Sequence, residues 1–388
     1  MNKQHIAFLY LKTGGGHLSA ANALASRISE RFSRSAKVWT FNPIPERRLF
    51  SKFLLQEGYR ISSMKIEKFW IFIYEFNKLR FMQLLWTFIM TNIIRRNLKS
   101  FIRENNITKI VVLHFLLITP VFRILTSLKE EIPQMTIVTD PFTAHEFWFN
   151  QPHIPKIVFS SQVKNYAIES CQVNPDKIFI FPIILKSQFG APLSPEEREK
   201  KKQEFGFHPD KKLILFAGGG EGYPRGDFFV RALLKSEIDL ELAVVCGHDD
   251  LLKKTIEMIA GHHKNKIVKV FGFIDFMFEL MNMADVIVSK GGPATIMEAL
   301  ILKKPLIITQ YIYGQEKGNV EFVVNKGVGF YVDKPKAMVR TLRELLKTPE
   351  TYQQVIDKIS SITIQNGTDP IIEFIINYPV RNGRKNPG

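Results

Sequence analysis

His5-Ile6-Ala7-Phe8-Leu9-Tyr10-Leu11 runs, after Lys12, into Thr13-Gly14-Gly15-Gly16-His17, and an alanine-rich stretch from Ser19 to Phe32 follows. A short apolar run closed by glycines reads as a buried strand, and alanines interspersed with polar residues read as a helix. Strand, glycine turn and helix in that order open a doubly wound α/β unit. The turn matters chemically because the first backbone N–H groups of a helix have no partner inside it. Gly15, Gly16 and His17 stand at that turn.

The same arrangement restarts two hundred residues on. Lys212-Leu213-Ile214-Leu215-Phe216-Ala217 predicts a strand, and Gly218-Gly219-Gly220-Glu221-Gly222 follows it. Further strands are predicted over 107–115, 134–139 and 157–161 before the restart, and over 241–246, 266–271, 286–289 and 305–309 after it. Between the two sets the composition changes, and Ser194-Pro195-Glu196-Glu197 opens a charged helix with proline at its first position. The expected fold class is therefore α/β, with two facing Rossmann-like domains and an interdomain cleft. The expected domains are 1–187 and 188–388, with the last helix packing back on the amino-terminal domain.

Bulk properties agree with that division. A chain of 388 residues exceeds one ordinary core. With 45% hydrophobic and 23% charged residues it is not a disordered chain. Cys171 and Cys246 stand far apart, which argues against a disulfide framework or a zinc site and makes a reducing compartment natural. No secretory leader is read at the amino terminus. The net charge is +16, and residues 1–100 carry 17 Lys and Arg against 5 Asp and Glu. Charge so concentrated points to a polyanionic partner, an anionic membrane surface or a nucleic acid.

One segment decides between those partners. Residues 59–105 place Phe69, Trp70, Phe72, Tyr74, Phe76, Phe81, Trp86 and Phe88 among Lys65, Lys68, Lys78, Arg80, Arg95, Arg96 and Lys99. Glu75, Asn77, Lys78 and Arg80 interrupt the apolar run, so it makes a poor spanning helix. An amphipathic helix lying in the lipid interface is expected, with Trp70, Lys78, Arg80 and Trp86 on the membrane side. The alternative is a face that covers the domain's own core. No recognised nucleic-acid module surrounds these residues, so no nucleic-acid partner is expected.

The richest chemistry lies in Ser289-Lys290-Gly291-Gly292-Pro293-Ala294-Thr295-Ile296-Met297-Glu298-Ala299. A strand ends, two glycines turn the chain, and a helix begins near Pro293. Its free N–H groups form an anion site suited to a diphosphate, with Lys290 beside it. Glu298, a turn into the helix, is placed to accept from both hydroxyls of a ribose. After the next strand, Gln315, Glu316 and Asn319 cluster at a helix start, and their amides and carboxylate suit a sugar's several hydroxyls. Their alternative role is helix capping.

The chain as a whole resembles the monogalactosyldiacylglycerol synthase and processive diacylglycerol glucosyltransferase family. It is also similar, more distantly, to the peptidoglycan N-acetylglucosaminyltransferase. The resemblance runs from Gly14-Gly15-Gly16-His17 through Val138-Thr139-Asp140 with Thr143, His145 and Trp148. It continues in Gly218-Gly219-Gly220-Glu221-Gly222, Gly272-Phe273-Ile274, Lys290 to Glu298, Gly314-Gln315-Glu316 and Gly318-Asn319. It implies a GT-B glycosyltransferase that inverts the anomeric centre of a UDP-hexose and glycosylates diacylglycerol or a related lipid. In that scheme Ile274 meets uracil, Glu298 the ribose, and Gly291, Gly292, Pro293, Ala294 and Thr295 with Gly220 the diphosphate. Gln315, Glu316 and Asn319 read the hexose. His17 is the base, with Asp140 its rival or its orienting partner, and Asp140, His145 and Trp148 lie on the acceptor side.

No Asp-x-Asp metal motif occurs, so no metal or other cofactor is expected, and the helix start at Gly291–Thr295 with Lys290 would meet the charge of the leaving UDP. A peripheral position on the cytoplasmic face of a membrane is expected. The chain departs from the family pattern twice. Ile184 stands where an Arg is usual, with Lys186 nearby, and Thr309-Gln310 stands where Asn-Asp is usual. Three other readings remain: a UDP-N-acetylglucosamine transferase acting on a polyprenyl-linked cell-wall intermediate, a UDP-sugar 2-epimerase, and an inactive surface-binding relative.

Overall fold

The structure is a computed structural model, and it describes residues 3–12, 15–45, 71, 75–76, 79–128, 131–220 and 222–379. Trp70 and Lys78 lie outside the described residues, as does the side chain of Arg80. Two compact units are present: Met1–Ser187 with Tyr313–Gln315 and Asn366–Gly388, and Gln188–Ile312 with Glu316–Gln365.

The first unit is built on a six-stranded sheet. Its strands are β1 (Gln4–Leu9), β2 (Ala36–Phe41), β3 (Lys109–Val112), β4 (Gln134–Ile137), β5 (Lys156–Val158) and β6 (Ile178–Ile180). They pair in the order β2-β1-β3-β4-β5-β6, parallel throughout. Strand alternation explains why β1 is apolar on every residue of its second half. Ile6, Phe8 and Tyr10 enter one core, and Ala7, Leu9 and Leu11 enter the other.

Helices cover both faces. On one side lie α1 (Gly15–Phe32), through Ala21, Leu24 and Ile28, and the carboxy-terminal helix, through Ile371, Ile372 and Ile375. Arg27 and Arg31 of α1 pair with Asp369 and Glu373 of that last helix. Lys109, buried at the start of β3, donates to the carbonyls of Ile375, Ile376 and Tyr378 and so caps the same helix's end. Ile184 belongs to this apolar cluster, so the residue standing where the family carries Arg is spent on packing.

The other face holds α2 (Arg80–Glu104) and α3 (Ile118–Leu128). The structure corrects the expectation for this segment in part. Trp86 packs against the core cluster, one turn before Met90, Ile94, Leu98 and Ile102 on the same helical stripe. Trp86 is therefore a core-facing residue. Phe76, Leu79, Phe81, Leu84, Leu85 and Phe88 do remain exposed. Among the described residues no helix is long and apolar enough to cross a membrane.

The second unit repeats the plan. Its strands are β7 (Lys212–Ala217), β8 (Leu240–Val245), β9 (Val268–Phe271), β10 (Val286–Lys290), β11 (Leu306–Gln310) and β12 (Gly329–Tyr331), in the parallel order β12-β11-β10-β7-β8-β9. Before it, α4 (Ser161–Glu169) links β5 to β6 in the first unit, and α5 (Pro195–Glu204) opens the second with a full capping box between Ser194 and Glu197, followed by α6 (Gly226–Leu234), α7 (Asp250–Gly261) and α8 (Met277–Met283). In both sheets the chain reverses its direction of growth between two neighbouring strands, β1 and β3 in the first and β7 and β10 in the second. Crevices beyond the carboxyl ends of strands at such reversals are where doubly wound sheets take their ligands.

Candidate active site

At the first reversal, β1 delivers His17 on the opening turn of α1, β3 delivers His114, and β4 delivers Thr139 and Asp140. Gly15 and Gly16 are exposed, and a Cβ on either would meet no atom within 4 Å, so space is open above the helix start. His17 Nδ1 lies 2.9 Å from the Thr139 hydroxyl oxygen. Its ring sits 4.8 Å from that of His114 and 6.2 Å from that of Trp148. Burial pushes the His17 pKa down to about 4, against a smaller upward pull from the Leu113 carbonyl. Burial, helped by His17, also holds His114 well below the ordinary histidine range. Both rings are neutral at pH 7, and a neutral imidazole is able to take a proton.

Asp140, just past β4, is half-buried. Its Oδ2 accepts a 2.7 Å hydrogen bond from the indole N–H of Trp148. Trp148 is itself corrected: it is fully buried in the core, off the surface an acceptor would touch. His145 is buried too, and its Nδ1 accepts from the Phe147 N–H at the start of the short helix Glu146–Phe149. Trp148 thus holds Asp140 from the core side, and His145 caps the short helix that carries Trp148.

At the second reversal two glycine turns meet. Gly219 follows β7 with φ of +81°, where only glycine is comfortable. The loop after β8 touches the same turn, for the His248 N–H donates to the Gly220 carbonyl at 2.9 Å and a Cβ on Gly247 would fall 2.4 Å from that oxygen. The His248 and Phe273 rings, both exposed, stack at 4.3 Å and 8° beside Gly220, and the half-buried Ile274 follows. Lys290, at the end of β10, passes its aliphatic end 3.9 Å from where a Gly219 Cβ would lie.

After Gly291 and Gly292, α9 (Pro293–Ile301) begins with glycine as its cap, and no side chain caps its first turn. Proline at the first helical position removes one orphan donor, and the N–H groups of Ala294 and Thr295 have no acceptor within the helix, the arrangement with which helix starts bind anions. Glu298 lies in the second turn, half-buried. Gly291 is pinned from two sides: its N–H donates to the Gln310 carbonyl and its carbonyl accepts from Asn319 Nδ2, each at 2.8 Å. The Asn319 amide thereby shapes the turn, while its Oδ1 is buried without a partner. Glu316, just ahead of α10 (Lys317–Asn325), accepts from the Ile312 N–H at 2.8 Å. Burial raises its pKa, and Lys290 works in the opposite direction. Gln315 is buried and groups with the first unit.

Thr139, His114, His248 and Phe273 are the contributors to which sequence reasoning gives no role. His248 carried a usable signal, since it follows a glycine at a strand end in the manner of His17 after Gly16.

Comparison with known proteins fits this geometry. The family described as monogalactosyldiacylglycerol (MGDG) synthase matches residues 17–184, and the glycosyltransferase family 28 C-terminal domain matches residues 225–367. In solved structures, Acinetobacter baumannii MurG shares the fold with a TM-score of 0.62 at 14% identity, covering 96% of this chain and 99% of that one. The UDP-GlcNAc 2-epimerase of Neisseria meningitidis does so at 0.58 and 16%, covering 96% and 98%. Two Rossmann-like units with such neighbours define the GT-B class.

Within it, the chain is similar to monogalactosyldiacylglycerol synthases and to a processive diacylglycerol glucosyltransferase. It is 28% identical over 362 residues, 88% of its length, to the chloroplastic monogalactosyldiacylglycerol synthase of Spinacia oleracea. It is 26% identical over 263 residues, 67% of its length, to the processive diacylglycerol beta-glucosyltransferase of Bacillus licheniformis. The chain spans 66% of the length of each of these two relatives.

Proposed function

We propose that this protein transfers a hexose, glucose or galactose, from a UDP-sugar to the hydroxyl of diacylglycerol or a related lipid, inverting the anomeric centre to give a β-glycoside. The observation that carries this reading is the pair of glycine turns at the β7/β10 reversal, where an uncapped helix start stands beside Lys290. Their arrangement suits a diphosphate, and the relatives named for diacylglycerol products and substrates supply the acceptor. The α9 N–H groups and Lys290 meet the charge that develops on UDP as it departs, with no metal or other cofactor required. Ile274 lies against the base and Glu298 against the ribose, with Gln315, Glu316 and Asn319 around the hexose. His17 takes the proton of the attacking hydroxyl, and Asp140 sets the polarity of the pocket beside it.

Acceptor choice fixes the location. Diacylglycerol resides in a bilayer, so the exposed apolar residues of α2 enter the interface while the basic amino-terminal region meets anionic headgroups, a peripheral arrangement on the cytoplasmic face. The test is incubation of the protein with UDP-glucose or UDP-galactose and diacylglycerol vesicles, followed by mass analysis of the lipid. A hexosyl-diacylglycerol together with free UDP is expected. UDP-sugar consumed only when a polyprenyl acceptor is present, or epimerised without transfer, would overturn the assignment.

A further inference from the structure

Thr309 and Gln310 end β11 at the point where this chain departs from the Asn-Asp of the family pattern, and both side chains have definite partners. The Thr309 hydroxyl is hydrogen-bonded to the hydroxyl of Tyr223, a fully buried side chain. Gln310 Nε2 donates to the Pro224 carbonyl at 3.1 Å, while the Gln310 main-chain carbonyl accepts from the Gly291 N–H at 2.8 Å. Tyr223 and Pro224 belong to the connection that leaves β7, and Gly291 belongs to the turn that leaves β10. One strand end therefore grips both glycine turns.

The grip has little slack. A Cβ on Gly218 would fall 2.2 Å from the Gly222 oxygen and 2.6 Å from the Tyr223 Cα, and one on Gly226 would fall 2.5 Å from the Tyr223 ring. The connection is folded tightly around Tyr223. Releasing the ring would strand its hydroxyl, raised to a pKa above the usual phenol range by burial, in an apolar surrounding.

We propose that Thr309 and Gln310 are positioning residues which hold the turn after β7 against the turn after β10, setting the spacing of the diphosphate site, and that in this chain they do not read the donor sugar. This rests on the reading of those turns as the nucleotide site. The Thr309 hydroxyl and the Gln310 amide nitrogen are committed to Tyr223 and Pro224, so the sugar-reading work falls to the Gln315–Asn319 stretch.

The test combines calorimetric UDP binding, thermal midpoint and hydrogen exchange at Gly219, Gly220 and Gly222. Thr309→Val is expected to weaken UDP binding about fivefold to tenfold, lower the midpoint and speed exchange in the turn. Thr309→Ser should restore all three. The double change Thr309→Val with Tyr223→Phe removes both polar partners, so the midpoint should recover while UDP affinity stays low. Gln310→Leu should weaken UDP binding and lower turnover, because the same turns meet the charge on departing UDP, with the glucose-to-galactose preference unchanged. Parental UDP affinity in Thr309→Val and Gln310→Leu would overturn the inference, as would a changed preference between UDP-glucose and UDP-galactose at unchanged UDP affinity. If the parent protein binds no UDP, the nucleotide reading fails, whereas faster exchange in the variants would still show that the strand end holds the turn.

Discussion

The indole N–H of Trp148 donates to Asp140 at 2.7 Å, tying a carboxylate beside His17 to a side chain that is wholly inside the core. A carboxylate held this way has a set direction and cannot follow a moving ligand. Trp148→Phe keeps most of the packing and removes the donor. Hydrogen bonds to charged groups contribute about 1.5–3 kcal/mol, so turnover should fall about tenfold or more while UDP binding in the other unit is retained. Steady-state kinetics alongside UDP calorimetry check this, and unchanged turnover would free Asp140 from any need of Trp148.

His17 gives a pH signature. Its folded pKa of about 4 lies below the ordinary value of 6.5. On acidification the unfolded chain therefore binds the proton first, and the stability this site contributes is fully present above about pH 6.5 and is lost as pH falls through about 4. As a base, His17 stays unprotonated over the same range. The acid limb of kcat/KM is expected nearer pH 4 to 5 than 6.5, and His17→Ala should cost about 10²–10⁴ in kcat. A limb centred near 6.5 in the parent would contradict the lowered pKa of His17.

Much of this was legible because both sheets are parallel and covered on both faces, so their strands announce themselves as short apolar runs ending in glycine. Lys212–Ala217 matches β7 residue for residue, and the glycine turns at Gly218 and Gly291 fall where the chain needs them. Edge and short strands were not legible: Ala36–Phe41 follows its helix without a turn signal, and Gly329–Tyr331 is only three residues long. The helix read from Ser19 begins at Gly15, since glycine is a poor helix former and local propensity hides a start that tertiary packing imposes. Within the site, the glycine turns were readable from spacing alone. Trp148 was not, because an aromatic residue looks the same in sequence whether it lines a pocket or supports one, and only burial separates the two.

The turn at Gly291 admits no side chain. A Cβ there would lie 2.9 Å from the Tyr311 Cβ and 3.2 Å from the Glu316 Cβ, whereas one on Gly292 meets only Glu316 Oε1 at 3.8 Å. Gly291→Ala should thus lower the thermal midpoint and abolish measurable UDP binding, and Gly292→Ala should fold normally. Glu298→Ala, further along α9, is expected to weaken UDP binding by about 1.5–3 kcal/mol, the usual loss on deleting a charged hydrogen-bonding partner. Calorimetry on the three variants decides the matter, and equal affinity in Glu298→Ala would remove that residue from the ribose.

The first turns of α2 make the last prediction. Phe81 and Phe88 are 61% and 63% exposed, while four residues of the same helix, Met90, Ile94, Leu98 and Ile102, are buried. The helix is thus anchored by its second half, and its first half presents phenyl rings outward at no benefit to the fold. Burying such a ring in a lipid interface gains about 1.5–3 kcal/mol when complete, so replacing both by Ser should reduce vesicle partitioning at least tenfold. Because the anchor is untouched, the thermal midpoint should hold within a few degrees, and UDP affinity, which belongs to the other unit, should not move. Turnover of diacylglycerol presented in vesicles should fall in step with partitioning, whereas turnover of a short-chain acceptor dissolved in water should not. Sedimentation with anionic vesicles and the two activity assays, run on one preparation, separate a lipid-seeking face from an ordinary exposed one; equal sedimentation of variant and parent would make it the latter.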